Sequence, residues 1–103
     1  MDSETRNVNW DIAGKQVLIT GGTSGIGRAT AAQLACLGAH VTLTSRNLAT
    51  AQTTVDELRA DTGADIEAAQ LDLASLDAVR NFATRYADRH DRLDVLINNA
   101  GTM

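Results

Sequence analysis

Three glycines, Gly21, Gly25 and Gly27, punctuate the segment Thr20-Gly21-Gly22-Thr23-Ser24-Gly25-Ile26-Gly27-Arg28 in the pattern G-x-x-x-G-x-G. The apolar run Val17-Leu18-Ile19-Thr20 precedes them and a stretch of helical periodicity follows. At such a strand-to-helix junction the free N–H groups and the positive end of the helix dipole can receive an anion. Gly21 would permit the tight turn, Gly25 would let the backbone close on a pyrophosphate, and Gly27 would let the helix pack on the strand. Thr23, Ser24 and Ile26 complete the loop and join the glycines as candidate contacts.

Two other phosphate loops compete for this reading. The spacing G-x-G-x-x-G does not occur in the loop. Gly22 and Gly27 do have the spacing of a nucleoside-triphosphate loop, but Arg28 stands where its lysine belongs and Ala29 where its magnesium-binding hydroxyl belongs. Alanine cannot ligate magnesium, which excludes that class. A glycine-rich turn without a ligand is the remaining alternative, and three glycines between a strand and a helix argue against it.

If the anion is a dinucleotide, the end of the second strand decides which one. An acidic residue about 20 positions past the glycines holds the ribose hydroxyls of NAD. Here the chain reads Thr44-Ser45-Arg46-Asn47, with no acid. The Arg46 guanidinium could instead fork onto a 2′-phosphate, helped by Ser45 and the amide of Asn47. The missing carboxylate also removes a repulsion that would reject that phosphate. NADP(H) is therefore expected over NAD(H). The alternative makes Arg46 a solvated arginine at a helix start.

Positioning these groups requires a regular scaffold. Val17–Thr20, His40–Ser45, Ile66–Leu71 and Leu93–Asn98 read as short buried strands. Between them lie three helices. The first is expected to turn Ile26, Thr30, Leu34 and Leu37 inward and to stop at Gly38. The second starts from Asn47 as N-cap, turns Leu48, Gln52, Val55 and Leu58 inward, and ends near Thr62-Gly63. The third is capped by Ser75, carries Asp77 in its first turn, and turns Leu76, Val79, Ala83 and Tyr86 inward. The order β-α-β-α-β-α-β predicts an α/β fold: a partial Rossmann-type parallel sheet with right-handed crossovers. Residues 1–9 read as a flexible lead-in and residues 10–103 as the N-terminal half of one dinucleotide-binding domain.

Bulk properties narrow the function classes. A formal net charge of -4 argues against a nucleic-acid partner. A single cysteine, Cys36, allows no internal disulfide, and it is expected to be a small buried helix residue. No apolar run approaches the ~20 residues of a membrane span. The polar start of the chain is unlike a signal peptide, so a cytoplasmic location is expected. His40 and His90 are read as surface or strand-flank residues without metal-ligand partners.

Taken together, Gly14-Lys15, the glycine loop 20–27, Ser45-Arg46-Asn47, Leu71-Asp72-Leu73-Ala74-Ser75 and Leu93-Asp94-Val95-Leu96-Ile97-Asn98-Asn99-Ala100-Gly101 resemble the N-terminal half of a short-chain dehydrogenase/reductase. The wording is similar to the retinol dehydrogenase and protochlorophyllide reductase branch. The resemblance implies the strand order 3-2-1-4. It implies that Asp72 accepts a hydrogen bond from the adenine amino group, with the amide of Leu73 beside it. It also implies that Asn98, Asn99, Ala100 and Gly101 run along the adenosine ribose and steady the sheet. Without the resemblance, Asp72 could be a loop carboxylate, Leu73 a core contact, and the Asn-Ala-Gly run a turn.

The same family performs hydride transfer with a Ser, a Tyr-x-x-x-Lys pair and a further Asn, all well beyond the Asn-Asn-Ala-Gly run. The one tyrosine here is Tyr86, with His90 four positions on, and it is read as core. The expectation is a catalytically inactive N-terminal fragment of an NADP(H)-dependent oxidoreductase acting on an alcohol/carbonyl pair. Strand 4 would then be an open edge, inviting self-association or pairing with another chain. A non-catalytic nucleotide-binding or interaction module is the alternative from a different class. A methyltransferase on a similar fold is disfavoured by Arg46 and the double asparagine.

Overall fold

The computed structural model describes residues 12–23 and 25–99. Four strands, β1 (Gln16–Thr20), β2 (His40–Ser45), β3 (Ile66–Gln70) and β4 (Val95–Asn98), alternate with three helices, α1 (Gly25–Cys36), α2 (Leu48–Thr62) and α3 (Leu76–Arg89). All strand pairings are parallel and the sheet order is β3-β2-β1-β4. This is the Rossmann-type arrangement and the strand order expected from the sequence. The lead-in 1–9, and with it Ser24, Ala100 and Gly101, lies outside the described residues.

Strand alternation distributes the core over two faces. Val17, Ile19, Val41, Leu43 and Ile66 meet Ala31 and Ala35 of α1 and Val55 and Leu58 of α2. On the opposite face Leu18 and Leu71 meet Phe82 and Tyr86 of α3. The first face is dense, because α1 presents only Gly27, Ala31 and Ala35 to the strands. Such small residues, spaced four apart, let a helix axis approach a sheet closely. The second face is thinner, and the α3 backbone stays farther from the strands than those of α1 and α2.

The helix boundaries follow the capping chemistry read from the sequence. The Asn47 side chain accepts hydrogen bonds from the amides of Ala49 and Thr50, and Ser75 Oγ accepts from the Ala78 amide. α1 closes with paired bonds from Ala39 N to Leu34 O (3.1 Å) and from Gly38 N to Ala35 O (3.0 Å). Gly38 sits at φ +98°, where a side chain would be strained. Gly63, also left-handed, closes α2 onto Arg59 O.

The inward faces differ from those the apolar periodicity predicts. In α1, Ile26 is 79% exposed and Leu37 is also exposed, while Gly27, Ala31 and Ala35 face the sheet. In α2, Ala51, Thr54, Val55 and Leu58 are buried, whereas Leu48 and Gln52 are exposed. In α3, Phe82 joins Tyr86 inside, and Leu76 and Ala83 face outward. The large aliphatic residues at the helix ends, Ile26, Leu37, Leu48 and Leu76, stay exposed. Cys36 is exposed rather than buried. It follows Ala35 by one helical step of about 100°, which carries it off the buried face. No helix among the described residues is long and apolar enough to cross a membrane.

Candidate functional site

The glycine loop lies at the carboxyl end of the sheet, where the order reverses between β1 and its neighbours β2 and β4. Ligands of open α/β sheets bind at such a switch point. Gly21, at φ +68°, leaves β1 and donates its amide to Thr44 O of β2 (3.1 Å). Gly22 is buried, and a β-carbon there would meet Leu43 Cδ2 at 2.4 Å and Ile19 Cγ2 at 3.1 Å. Gly25 opens α1 at φ +59° with nothing within 4 Å of where its β-carbon would be. That position combines a backbone only glycine adopts readily with open space in front of it, which fits a phosphate approaching the main chain. Ile26 beside it is the most exposed of the large apolar side chains.

A second set of residues holds the loop in place. Asn99 donates its amide to Thr20 O and Thr20 Oγ1 (3.2 Å each), and its Nδ2 donates to Gly21 O (3.2 Å). Thr20 Oγ1 in turn donates to Asn98 Oδ1 at 2.9 Å. The double asparagine therefore ties β4 to the first turn of the loop. From the other side, Thr54 Oγ1 of α2 donates to Thr23 O (3.4 Å), and Arg28 of α1 pairs with Glu57 of α2 at 2.7 Å. Asn99 was expected along the adenosine ribose, steadying the sheet, but its hold on the glycine loop was not, and Thr20 and Thr54 were not read as site residues. Only the pairing of two adjacent asparagines signalled any of them.

Arg46 and Asn47 follow β2 on the same end of the sheet. Arg46 is exposed, and among the described residues nothing pairs with its guanidinium, while its carbonyl accepts from Gln70 Nε2 at 3.0 Å. Its backbone is thus fixed and its charge is left to solvent or a ligand. The Asn47 amide turns inward to Ser45 Oγ (3.2 Å), so in this arrangement Ser45 offers its hydroxyl proton outward rather than Asn47 its N–H. Asp72 Oδ1 accepts the Ala74 amide (3.0 Å) in a short turn, which leaves its second oxygen available. Leu73 is exposed and so is not a core contact. The structure thus gathers Gly21, Thr23, Gly25, Ile26, Gly27, Ser45, Arg46, Asn47, Asp72, Leu73 and Asn98 at or just beyond the carboxyl ends of the strands.

Asp94 sits at the amino end of the sheet and is held below the ordinary carboxylate range by Arg92 and by the Gln16 amide. His40 is raised: burial works against its charged form, but hydrogen bonds to Asp65 and Glu67 outweigh that. Tyr86 is raised by burial and by the charge of Glu67. The two histidines, expected to lack metal-ligand partners, converge with Glu67 instead. They are brought together from β2, β3 and the end of α3, a juxtaposition no local spacing could reveal.

Comparison with known proteins adds to this geometry. The short chain dehydrogenase family pattern matches residues 15–103. Retinol dehydrogenase 13 of Homo sapiens is 40% identical over 93 residues, covering 89% of this chain and 28% of that protein. A metagenomic short-chain oxidoreductase solved in complex with NADP superposes with a TM-score of 0.81 at 39% identity, over 89% of this chain and 41% of that one. RhlG of Pseudomonas aeruginosa, solved as an NADP active-site complex, gives 0.82 at 36% identity, over 90% and 37% of the two chains. The chain spans less than half the length of each of these three.

Proposed function

The chain belongs to the short-chain dehydrogenase family, and on that premise we propose that it forms the adenosine- and diphosphate-holding part of an NADP(H)-dependent oxidoreductase acting on an alcohol/carbonyl pair. The observation that carries the reading is Arg46, an exposed cation with no partner among the described residues. It stands one residue past β2, on the same sheet end as the open glycine cradle. Gly21 makes the turn, its own amide held by Thr44 O, and the loop amides at Thr23, Ser24, Gly25, Ile26 and Gly27 receive the diphosphate. Arg46, with the Ser45 hydroxyl and the Asn47 turn, receives the 2′-phosphate. Asp72 and Leu73 take the adenine, and Asn98, Ala100 and Gly101 flank the adenosine ribose. The NADP held by two similar solved proteins supports this assignment.

When bound, the dinucleotide supplies the hydride chemistry, and the residues here bind and orient its adenosine end. The sequence of 103 residues contains one tyrosine, Tyr86, buried under the sheet with His90 rather than lysine four positions on. Turnover is therefore assigned to groups beyond these residues, and this stretch alone is expected to bind without catalysing. The β4 edge, with Leu96 exposed beside it, is where further polypeptide, or another copy of the chain, would add a strand.

Arg46→Asp tests the reading by calorimetry with NADPH and NADH. A charge-assisted hydrogen bond contributes about 1.5–3 kcal/mol, so the variant is expected to lose roughly 10- to 150-fold in NADPH affinity. NADH binding should hold or improve. Unchanged NADPH affinity in this variant would remove the role given to Arg46. Absence of heat with either dinucleotide on folded wild-type chain would remove the whole reading.

A further inference from the structure

At the end of the sheet opposite the glycine loop, three side chains from separate elements point at one another. His40 opens β2, Glu67 lies on β3, and His90 caps the end of α3. Glu67 Oε2 lies 3.0 Å from His40 Nε2, and Glu67 Oε1 lies 3.5 Å from His90 Nε2. One donor atom from each of the three falls within 4.8 Å of the others. The side chains are 20%, 22% and 9% exposed, so the group is largely shielded yet reachable from a groove of about 450 Å³ lined by Thr42, Glu67, Tyr86, Arg89 and His90 among others.

We propose that His40, Glu67 and His90 form a binding site for a divalent transition-metal ion of the zinc type, pinning the end of α3 to β2 and β3. Two imidazole nitrogens with one carboxylate oxygen are a donor set suited to zinc and its neighbours. Metal–ligand distances of about 2.0–2.1 Å in a tetrahedron place donor atoms about 3.4 Å apart. Glu67 Oε2 at 3.0 Å from His40 Nε2 and Glu67 Oε1 at 3.5 Å from His90 Nε2 each lie near that value through a different oxygen; with one oxygen as ligand the three donors fall within 4.8 Å of one another and need to close by at most about 1.4 Å.

The surroundings are also those of a metal ligand. His40 Nδ1 lies 2.6 Å from Asp65 Oδ2, so the outer carboxylate orients the ring with Nε2 facing Glu67. Such a carboxylate behind a ligating histidine is the usual outer support of a zinc site. Two carboxylates, Asp65 and Glu67, thus face the two nitrogens of one ring, and a divalent cation between His40 Nε2 and Glu67 would offset that negative charge. The His90 ring is held by stacking on Tyr86 at 4.2 Å between centroids and by a tilted contact with His40 at 5.4 Å. Arg89 lies 3.4 Å from Glu67 Oε1 and competes for it, but its side chain is 65% exposed and can swing into solvent. Three protein ligands would leave a fourth position for water.

The site would act on structure. α3 is the helix held least closely to the sheet, and binding to the folded state alone raises its stability by mass action. The test uses the full 103-residue chain, untagged and with Cys36→Ser so that the exposed thiol cannot bind metal. Zinc chloride is titrated by calorimetry, thermal melts are run with and without zinc, and cobalt(II) is added for its visible absorption. One equivalent of zinc bound, a higher melting temperature and a tetrahedral cobalt spectrum are expected. Glu67→Gln and His90→Gln, which keep side-chain volume near the original, should each weaken zinc binding at least tenfold, and Asp65→Asn by about 10- to 100-fold. No zinc-dependent heat or melting shift would overturn the proposal. So would wild-type affinity in both Gln variants, or a cobalt spectrum of purely aqueous, six-coordinate character. Should a variant fail to fold, the cobalt spectrum of the parent chain still decides the outcome.

Discussion

Gly27→Ala should destabilise the protein through Asn99, and the size of the effect follows from three contacts. A β-carbon at position 27 would stand 2.4 Å from Asn99 Nδ2, 3.1 Å from Asn99 Cγ and 3.0 Å from Gly22 Cα. Carbon contacts are comfortable at about 3.5–4.0 Å, so the asparagine must move by about 1 Å. That movement breaks the bond from Asn99 Nδ2 to Gly21 O, which is worth about 0.5–1.5 kcal/mol. The Gly22 backbone cannot retreat as a side chain can, and such overpacking costs about 1–3 kcal/mol. Alanine regains about 0.5–1 kcal/mol of helix propensity. The net loss is about 0.5–4 kcal/mol, centred on about 2 kcal/mol or roughly 8–16 °C in Tm for a domain of this size. Urea and thermal denaturation of wild type, Gly27→Ala, Asn99→Ala and the double variant measure it. In the Asn99→Ala background the alanine at 27 should cost at least 0.5 kcal/mol less, because the clash is relieved, a coupling typical of residues in contact (about 0.5–3 kcal/mol). Equal costs in the two backgrounds, or a Gly27→Ala protein as stable as wild type, would refute the reasoning. Gly25→Ala is the control: with open space around it, it should show only the left-handed backbone strain of about 1–2 kcal/mol.

Two further outcomes are expected. Asn47→Ala removes the cap on the Ala49 and Thr50 amides and should lower stability by about 0.5–2 kcal/mol in urea melts, while Asn47→Ser should recover most of it. Asp94 titrates below its ordinary range in the folded state, because of Arg92 and the Gln16 amide. Its stabilising contribution is therefore present above the unfolded pKa of about 3.9 and is lost as the pH falls through that value toward the lower folded one. Between pH 6 and pH 3 the urea midpoint of wild type should fall more than that of Asp94→Asn; parallel curves would contradict the assignment.

Element order, helix ends and the cradle's place in the fold were legible in the sequence because they are written locally. Asn47, Ser75, Gly38 and Gly63 act within a turn of their own position, and the glycine loop needs only the strand before it and the helix after it. The inward faces of the helices were less legible. Apolar periodicity weighed Ile26 and Leu37 above Ala31 and Ala35, whereas the sheet selected the small residues because they allow close approach. Periodicity records where hydrophobic bulk lies, not how near two backbones must come. The loop's support by Asn99 and the convergence of His40, Glu67 and His90 depend on long-range pairing, and strand order alone does not give side-chain distances. The exposure of Arg46 was legible in its polar neighbours, but the inward turn of the Asn47 amide to Ser45 required the folded backbone.

The pairing of β1 with β4 has a consequence for timing. β1 pairs directly with β4, and the amide and side chain that fix the opening turn at Gly21 come from position 99. A ribosome delivers the amino end first, at about 5–20 residues per second. The cradle would therefore emerge from the exit tunnel well before its brace, and nascent chains halted before Asn99 should carry a slack, dinucleotide-blind loop that tightens only once that asparagine arrives.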